Sequence, residues 1–188
     1  MKTISLLDRK FKMSITRSQV RTGIDHIAER INIDYRGKEI IFVAVLNGVF
    51  VFAADLVRKV KPVSRISFVK VASYQGYSSD GNVTELIGLK EDLNGKHVIL
   101  LEDIVETGFT LEHIMNHVKT TYKPASLAVT SLLFKPQSYR KTIKIDYVGF
   151  EIPNDFVVGY GLDYNGYGRN LEDIYAIIEE EYPLNVYH

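Results

Sequence analysis

The sequence predicts an α/β fold in which a mostly parallel central sheet carries helices on both faces. Three observations lead there. Ile40–Leu46 (IIFVAVL) is apolar throughout, as is most of Lys96–Leu101 (KHVILL), the mark of strands covered on both sides. Segments with apolar residues at helical spacing alternate with these runs. The joins between them are short, which favours β-α-β order over separate layers.

The elements follow in chain order. Thr16, with Gln19 three residues on, has the pattern of a capping box. Val20, Ile24, Ile27 and Ile31 then recur at helical spacing, so the helix should run to about Tyr35. Arg36-Gly37-Lys38 is a turn, and Ile40–Leu46 is the first strand. After Asn47-Gly48, VFVFAADLVRKV places Phe50, Ala53, Ala54 and Val57 on one helical face, and Pro62 ends that helix. Ser64–Val71 alternates and reads as a strand. Ser73–Val83 (SYQGYSSDGNV) is rich in Ser, Gly and Tyr without periodicity, a long surface loop of the kind that serves as a lid. Val83–Leu89 returns as a short strand. Lys96–Leu101 is the second buried strand, followed by a helix over about Leu111–Thr121, and Ser126–Phe134 is a third apolar strand. Beyond Lys144 the segments IDYVGF, DFVVGY and DIYAIIEE are short strands separated by glycines and Asp-Tyr-Asn turns.

Composition bounds the function. The 188 residues suit one domain (1–188), long enough to bury roughly 70% of the unfolded surface. Charged residues balance, 23 basic against 23 acidic, which argues against an extended basic surface for nucleic acid but leaves room for a small charged ligand. The absence of cysteine removes disulfides, thiolate nucleophiles and Cys-ligated metals. The start, MKTISLLDRKFKMSI, has no apolar core ahead of Asp8, Arg9 and Lys10, so no signal peptide is expected. No stretch reaches about 18 apolar residues, so no membrane partner is expected, and a cytoplasmic location follows as the expectation.

The strongest local signal is Val98–Leu111, VILLEDIVETGFTL. A buried strand brings Glu102 and Asp103 to its carboxyl edge, where ligands of open α/β sheets bind. Thr107, Gly108 and Thr110 then open a helix, offering hydroxyls, a residue without Cβ and free amides, the means of holding a phosphate monoester. Carboxylates beside such a cradle suit sugar hydroxyls or Mg²⁺. The alternative is a solvated acidic turn with ordinary capping threonines. There is no Walker A loop, and no GxGxxG follows a strand. His113 and His117 form a helical pair without an obvious third zinc ligand and read as an exposed helix face.

ILLEDIVETGFTL resembles the phosphoribosyl-pyrophosphate (PRPP) motif of type I phosphoribosyltransferases. VAVLNGVFVFAADL, VASYQGYSSDGNV, SLLFKP and above all DYVGFEIPNDFVVGYGLDYNGYGRNL resemble the pyrophosphate loop, flexible loop, base-contacting strand and C-terminal signature of the hypoxanthine-guanine phosphoribosyltransferase family. The likeness spans about Lys38 to Ile178. It implies that family's fold, with a small hood formed by the terminal segments, and transfer of phosphoribose from PRPP to a 6-oxopurine.

The resemblance also implies roles. Glu102 and Asp103 would bind the ribose hydroxyls, directly or through Mg²⁺. Glu106, Thr107, Gly108, Phe109 and Thr110 would wrap the 5′-phosphate, with Glu106 also handling the purine N7 proton. Asn47, Gly48 and Arg169 would meet the pyrophosphate, over which Ser73 and Tyr74 would close. Lys135 would donate to the 6-oxo group, Tyr147 would stack on the base, and Val148 would recognise it through its backbone. Asn154 would help hold a second Mg²⁺, and Asp163 would be structural. Taken alone, Lys135 reads as a surface lysine before Pro136, and Tyr147 as a packing aromatic.

Three positions depart from the commonest family pattern: Glu106 for aspartate, Asn47 for lysine and Asn154 for aspartate. They leave open a xanthine-preferring transferase and a non-catalytic PRPP-binding regulator. The implied partners are the purine base, PRPP and a second copy of the chain, as a homodimer or homotetramer.

Overall fold

The computed structural model describes residues 2–73 and 84–178. Its chain opens with a hairpin, β1 (Thr3–Leu6) and β2 (Arg9–Ile15), then α1 (Arg17–Asp34), β3 (Ile40–Leu46), α2 (Phe50–Val57), β4 (Ser64–Ser73) and β5 (Thr84–Ile87). β6 (His97–Val105), α3 (Phe109–Thr121), β7 (Ser126–Phe134), β8 (Tyr147–Glu151), β9 (Val157–Val158) and β10 (Ile174–Ile177) complete it. The capping box of α1 is present: the Thr16 amide donates to Gln19 Oε1 at 2.9 Å, and the Gln19 amide donates back to Thr16 Oγ1.

Six strands form the main sheet in the order β5-β4-β3-β6-β7-β8, all parallel except β5. Because β3 and β6 are covered on both faces, their side chains divide between two cores. On one face Phe42 and Leu101 pack with Val20, Ile24 and Ile31 of α1 and with Phe52 and Leu56 of α2. On the other, Val43, Leu100 and Val129 pack with Leu111, Ile114 and Val118 of α3. A second, antiparallel sheet, β1-β2-β10-β9, joins the two ends of the chain over a small core of Phe11, Val158 and Tyr175. This is the hood that the terminal segments were expected to form.

The strand order creates one topological switch point. From β3 the chain crosses to β4 on one side, whereas from β6 it crosses to β7 on the other. The connections after β3 and β6 therefore diverge, leaving a crevice between them at the carboxyl ends of the strands.

Three elements differ from expectation. The N-terminal hairpin had no place in the sequence reading, although β2 alternates buried Phe11 and Ile15 with exposed lysines. The buried face of α2 is Phe52, Ala53 and Leu56, while Phe50 is 44% exposed, because packing against β3 and α1 fixes the phase of the helix on Phe52. β6 runs on past Leu101 through both acids to Val105, since β7 offers it ladder partners as far as Phe134.

α1 is latched to the edge of the sheet. The Tyr147 hydroxyl donates to Asp34 at 2.7 Å, and the Arg30 guanidinium lies 4.9 Å from the Tyr147 ring centroid while donating to the Asp146 carbonyl. Tyr147→Phe removes the hydroxyl bond and keeps the ring. It should lower unfolding stability by about 1 kcal/mol, read as a lower urea midpoint at an unchanged m-value.

Candidate active site

At the switch point the turn after β3 meets the last residues of β6. A Cβ on Gly48 would stand 1.6 Å from Asp103 Oδ2, so only glycine allows this approach. Gly161 closes the contact from a third segment: its φ is +100°, and a Cβ there would lie 2.0 Å from the Gly48 carbonyl oxygen. Arg169 locks that segment by donating to the Gly161 carbonyl at 2.7 Å and pairing with Asp163 at 2.5 Å. The Leu46–Asn47 peptide at the turn is cis. Between these parts opens a cleft of about 510 Å³, lined by Asn47, Gly48, Glu102, Asp103, Asp163 and Arg169, with Phe109, Thr110 and His113 from α3.

The electrostatics follow from burial. Desolvation pushes the Glu102 carboxyl well above the usual range, and the neighbouring Asp103 charge adds to this. Asp103 is pushed up to about 6 by desolvation, against the opposing pull of the Ile104 amide and Arg169, while Asp163 pushes further up. A cation in the cleft would hold both acids ionised. Among the described residues no three acidic or histidine side chains cluster closely enough to hold a metal by themselves. Glu102, Asp103 and Asp163 nevertheless line one cleft. That oxygen set suits Mg²⁺ when a bound phosphate supplies the remaining ligands, because Mg²⁺ rarely sits in an all-protein cage.

A second hollow of about 230 Å³ adjoins the first and shares Glu102 and Thr110 with it; Ile104, Val105, Glu106, Thr107, Gly108 and Leu111 complete its lining. The first amides of α3 have no partner a turn earlier, so their N–H groups are free to meet an anion. Gly108 caps the helix at φ +84°, and a Cβ on it would meet the Tyr139 ring at 2.4 Å. The loop after β7 braces the cradle from outside. The Arg140 amide donates to the Thr107 carbonyl, and Lys141 pairs with Glu112 while its ammonium sits 4.0 Å from the Phe109 ring centroid.

Glu102, Asp103, Asn47, Gly48 and Arg169 thus line one cleft, and residues 106–108 and 110 border the hollow beside it. Lys135 is 4% exposed, at the same end of the sheet, and its ammonium pairs with Glu106. Ser73 ends β4 opposite Thr84, and Tyr74 lies outside the described residues with the rest of the expected lid.

Tyr147, expected to stack on a base, does not face the crevice: its ring is buried against α1 and its hydroxyl is held by Asp34. Register gives the reason. Glu151 pairs with Phe134, so Tyr147 and Val148 lie further down the sheet, Tyr147 by about 13 Å at roughly 3.3 Å per residue. Ligands gather at the other end. Asn154, expected at a metal, accepts a hydrogen bond from Ser138 at 2.7 Å and does not line the cleft, whereas Asp163, expected to be structural, does.

The sequence reading took His113 for part of an exposed helix face and did not consider Phe156. His113 lines the cleft one turn after Phe109, a helical spacing that was available. Phe156 is 44% exposed on the segment that leaves β8. The signal for Asp163 was its setting, an acid six residues before Arg169 among glycines at 161, 166 and 168 that all hold positive φ.

Comparisons with known proteins bear on the fold and the family. A phosphoribosyl transferase domain model matches residues 15–165. A hypoxanthine-guanine phosphoribosyltransferase of Mycobacterium tuberculosis is 39% identical over 167 residues, covering 85% of this chain and 82% of that one. The crystal structure of a hypoxanthine-guanine phosphoribosyltransferase from Bacillus anthracis superposes with a TM-score of 0.81 at 36% identity, covering 89% of this chain and 97% of that chain. A hypoxanthine phosphoribosyltransferase variant from Trypanosoma cruzi, solved as a ternary substrates complex, gives 0.82 at 36% identity, over 89% and 95% of the two chains. On fold, crevice and sequence together, the chain belongs to the hypoxanthine-guanine phosphoribosyltransferase family of type I phosphoribosyltransferases.

Proposed function

We propose that the chain transfers the 5-phosphoribosyl group of PRPP to N9 of hypoxanthine or guanine, yielding IMP or GMP and pyrophosphate. One observation carries this reading: two adjoining hollows, one lined by paired acids and an arginine and one by a helix N-terminus, meet at the switch point beside a buried lysine. A sugar bearing phosphates at both ends matches that layout.

The proposed division of labour follows the chemistry. Glu102 and Asp103 accept hydrogen bonds from the ribose hydroxyls and orient C1′. The first amides of α3, with the Thr107 and Thr110 hydroxyls, hold the 5′-phosphate. Gly48, Asn47 and Arg169 take the pyrophosphate and stabilise its charge as the C1′–O bond breaks ahead of the new C1′–N9 bond. Mg²⁺, when bound at Glu102, Asp103 and Asp163, supplies further neutralisation of the leaving group. Ser73 and Tyr74 help exclude water, which would otherwise capture the ribosyl cation. Lys135 donates to the 6-oxo oxygen, and Glu106 accepts from N7–H. Phe156, rather than Tyr147, is the ring available to the base. Cytoplasmic location and assembly as a homodimer or homotetramer belong to the same proposal and rest on the family alone; among the described residues no helix is long and apolar enough to cross a membrane.

Assay of the chain with PRPP, Mg²⁺ and each of hypoxanthine, guanine, xanthine and adenine should give turnover with hypoxanthine or guanine and none with adenine. Chelation should abolish it. A preference for xanthine, or tight PRPP binding without turnover, would overturn the assignment.

Asp103 supplies a second test. Its folded value, about 6, is raised above its ordinary 3.8, so its contribution to ligand-free stability is fully present below pH 4 and is lost as pH rises through 6. Asp103→Asn should therefore stabilise the ligand-free protein at pH 8 by on the order of 1 kcal/mol, seen as a higher Tm. The same change should lower kcat/KM for PRPP at least tenfold.

A further inference from the structure

We propose that His113 binds the pyrophosphate end of PRPP, donating an imidazole N–H to it from the wall of the cleft that α3 supplies. The inference deepens the proposed transfer reaction and rests on it.

The start of α3 divides its side chains between the two hollows. Thr110 borders both, Leu111 borders the smaller one with residues 106–108, and Phe109 and His113 border the cleft alone. Phe109 and His113 stand four residues apart and so share one face of the helix. Glu112 lines neither hollow and pairs instead with Lys141 at 2.6 Å. A ligand whose 5′-phosphate sits against the helix start, in the smaller hollow, therefore carries its other phosphates into the space that His113 borders.

The cleft is short of positive charge. Glu102, Asp103 and Asp163 line it, and among the described residues only Arg169 and His113 of its lining can carry a cation. Arg169 is already committed, donating to the Gly161 carbonyl and pairing with Asp163. His113 is half-buried and, among the described residues, makes no hydrogen bond or ion pair. It does not cluster with two of the acids closely enough to share a metal with them, and Mg²⁺ prefers oxygen ligands, so metal ligation does not account for its place. An imidazole donates an N–H whether neutral or protonated, and a polyphosphate beside it favours the protonated form. The contact then gains from charge, which makes it stronger than a neutral hydrogen bond. Lysine at this position would supply the same charge on a flexible stem, and glutamine an N–H donor without it.

IMP carries the 5′-phosphate and no pyrophosphate, so comparing it with PRPP isolates the contact from the fold. In calorimetry with Mg²⁺ present, His113→Gln should weaken PRPP binding by about fivefold or more. His113→Lys should bring the Kd of PRPP back to within about a factor of two of the unaltered chain, because it restores the charge. Both variants should bind IMP as the unaltered chain does. PRPP binding unchanged in His113→Gln, an equal loss in His113→Gln and His113→Lys, or an equal loss for IMP and PRPP would overturn the inference. Failure of the unaltered chain to bind either ligand would overturn the proposed function itself. Normal binding by that chain with no loss in His113→Gln would overturn only the role of His113.

Discussion

The site depends on one close approach, that of the Gly48 backbone to the Asp103 carboxylate and the Gly161 backbone. Neither glycine tolerates a Cβ, and the contact fuses three segments far apart in sequence: the turn after β3, the end of β6 and the C-terminal loop. Arg169 locks the C-terminal loop internally through the Gly161 carbonyl and Asp163, and the three segments together give the cleft its floor and its basic wall. The divergence of the chain after β3 and β6 makes the crevice possible, but steric freedom at two positions decides that it closes to this shape.

Charge in the crevice is arranged locally and against solvation. The chain as a whole is neutral, yet burial costs Glu102 and Asp103 part of the stabilisation that water gives a carboxylate, and one arginine stands with three acids in the same cleft. Such an arrangement is poor for the stability of the isolated fold and good for binding a cation together with a polyphosphate. The buried Lys135 faces the same problem from the other sign, and Glu106 resolves it. Two solvation conflicts, one acidic and one basic, thus stand at the same end of the sheet.

Much of the architecture was legible because it is written in local patterns. β7 falls on Ser126–Phe134 as read, and the capping box at Thr16 starts α1 as read. β3 follows from an apolar run. The misreadings have a common cause. The stripe on α2 was drawn from Phe50 because helical periodicity gives spacing without phase, and packing against β3 and α1 chose Phe52 instead. The N-terminal hairpin is stabilised by β10, more than 150 residues away, so no window of the sequence contains its partner.

For the site, sequence alone determined the chemistry of its contiguous parts. Glu102 and Asp103 followed by Thr107-Gly108 at a strand-to-helix junction define an acid pair beside an anion cradle wherever that junction sits, because strand, turn and helix geometry are local. Tertiary structure decided what shares that space. Strand register carries Tyr147 and Val148 down the sheet, and the Gly48–Gly161 contact brings Asp163 to the acids in place of Asn154. Register and backbone approach are set by pairings between distant segments, which leave little mark on the spacing of residues along any one of them.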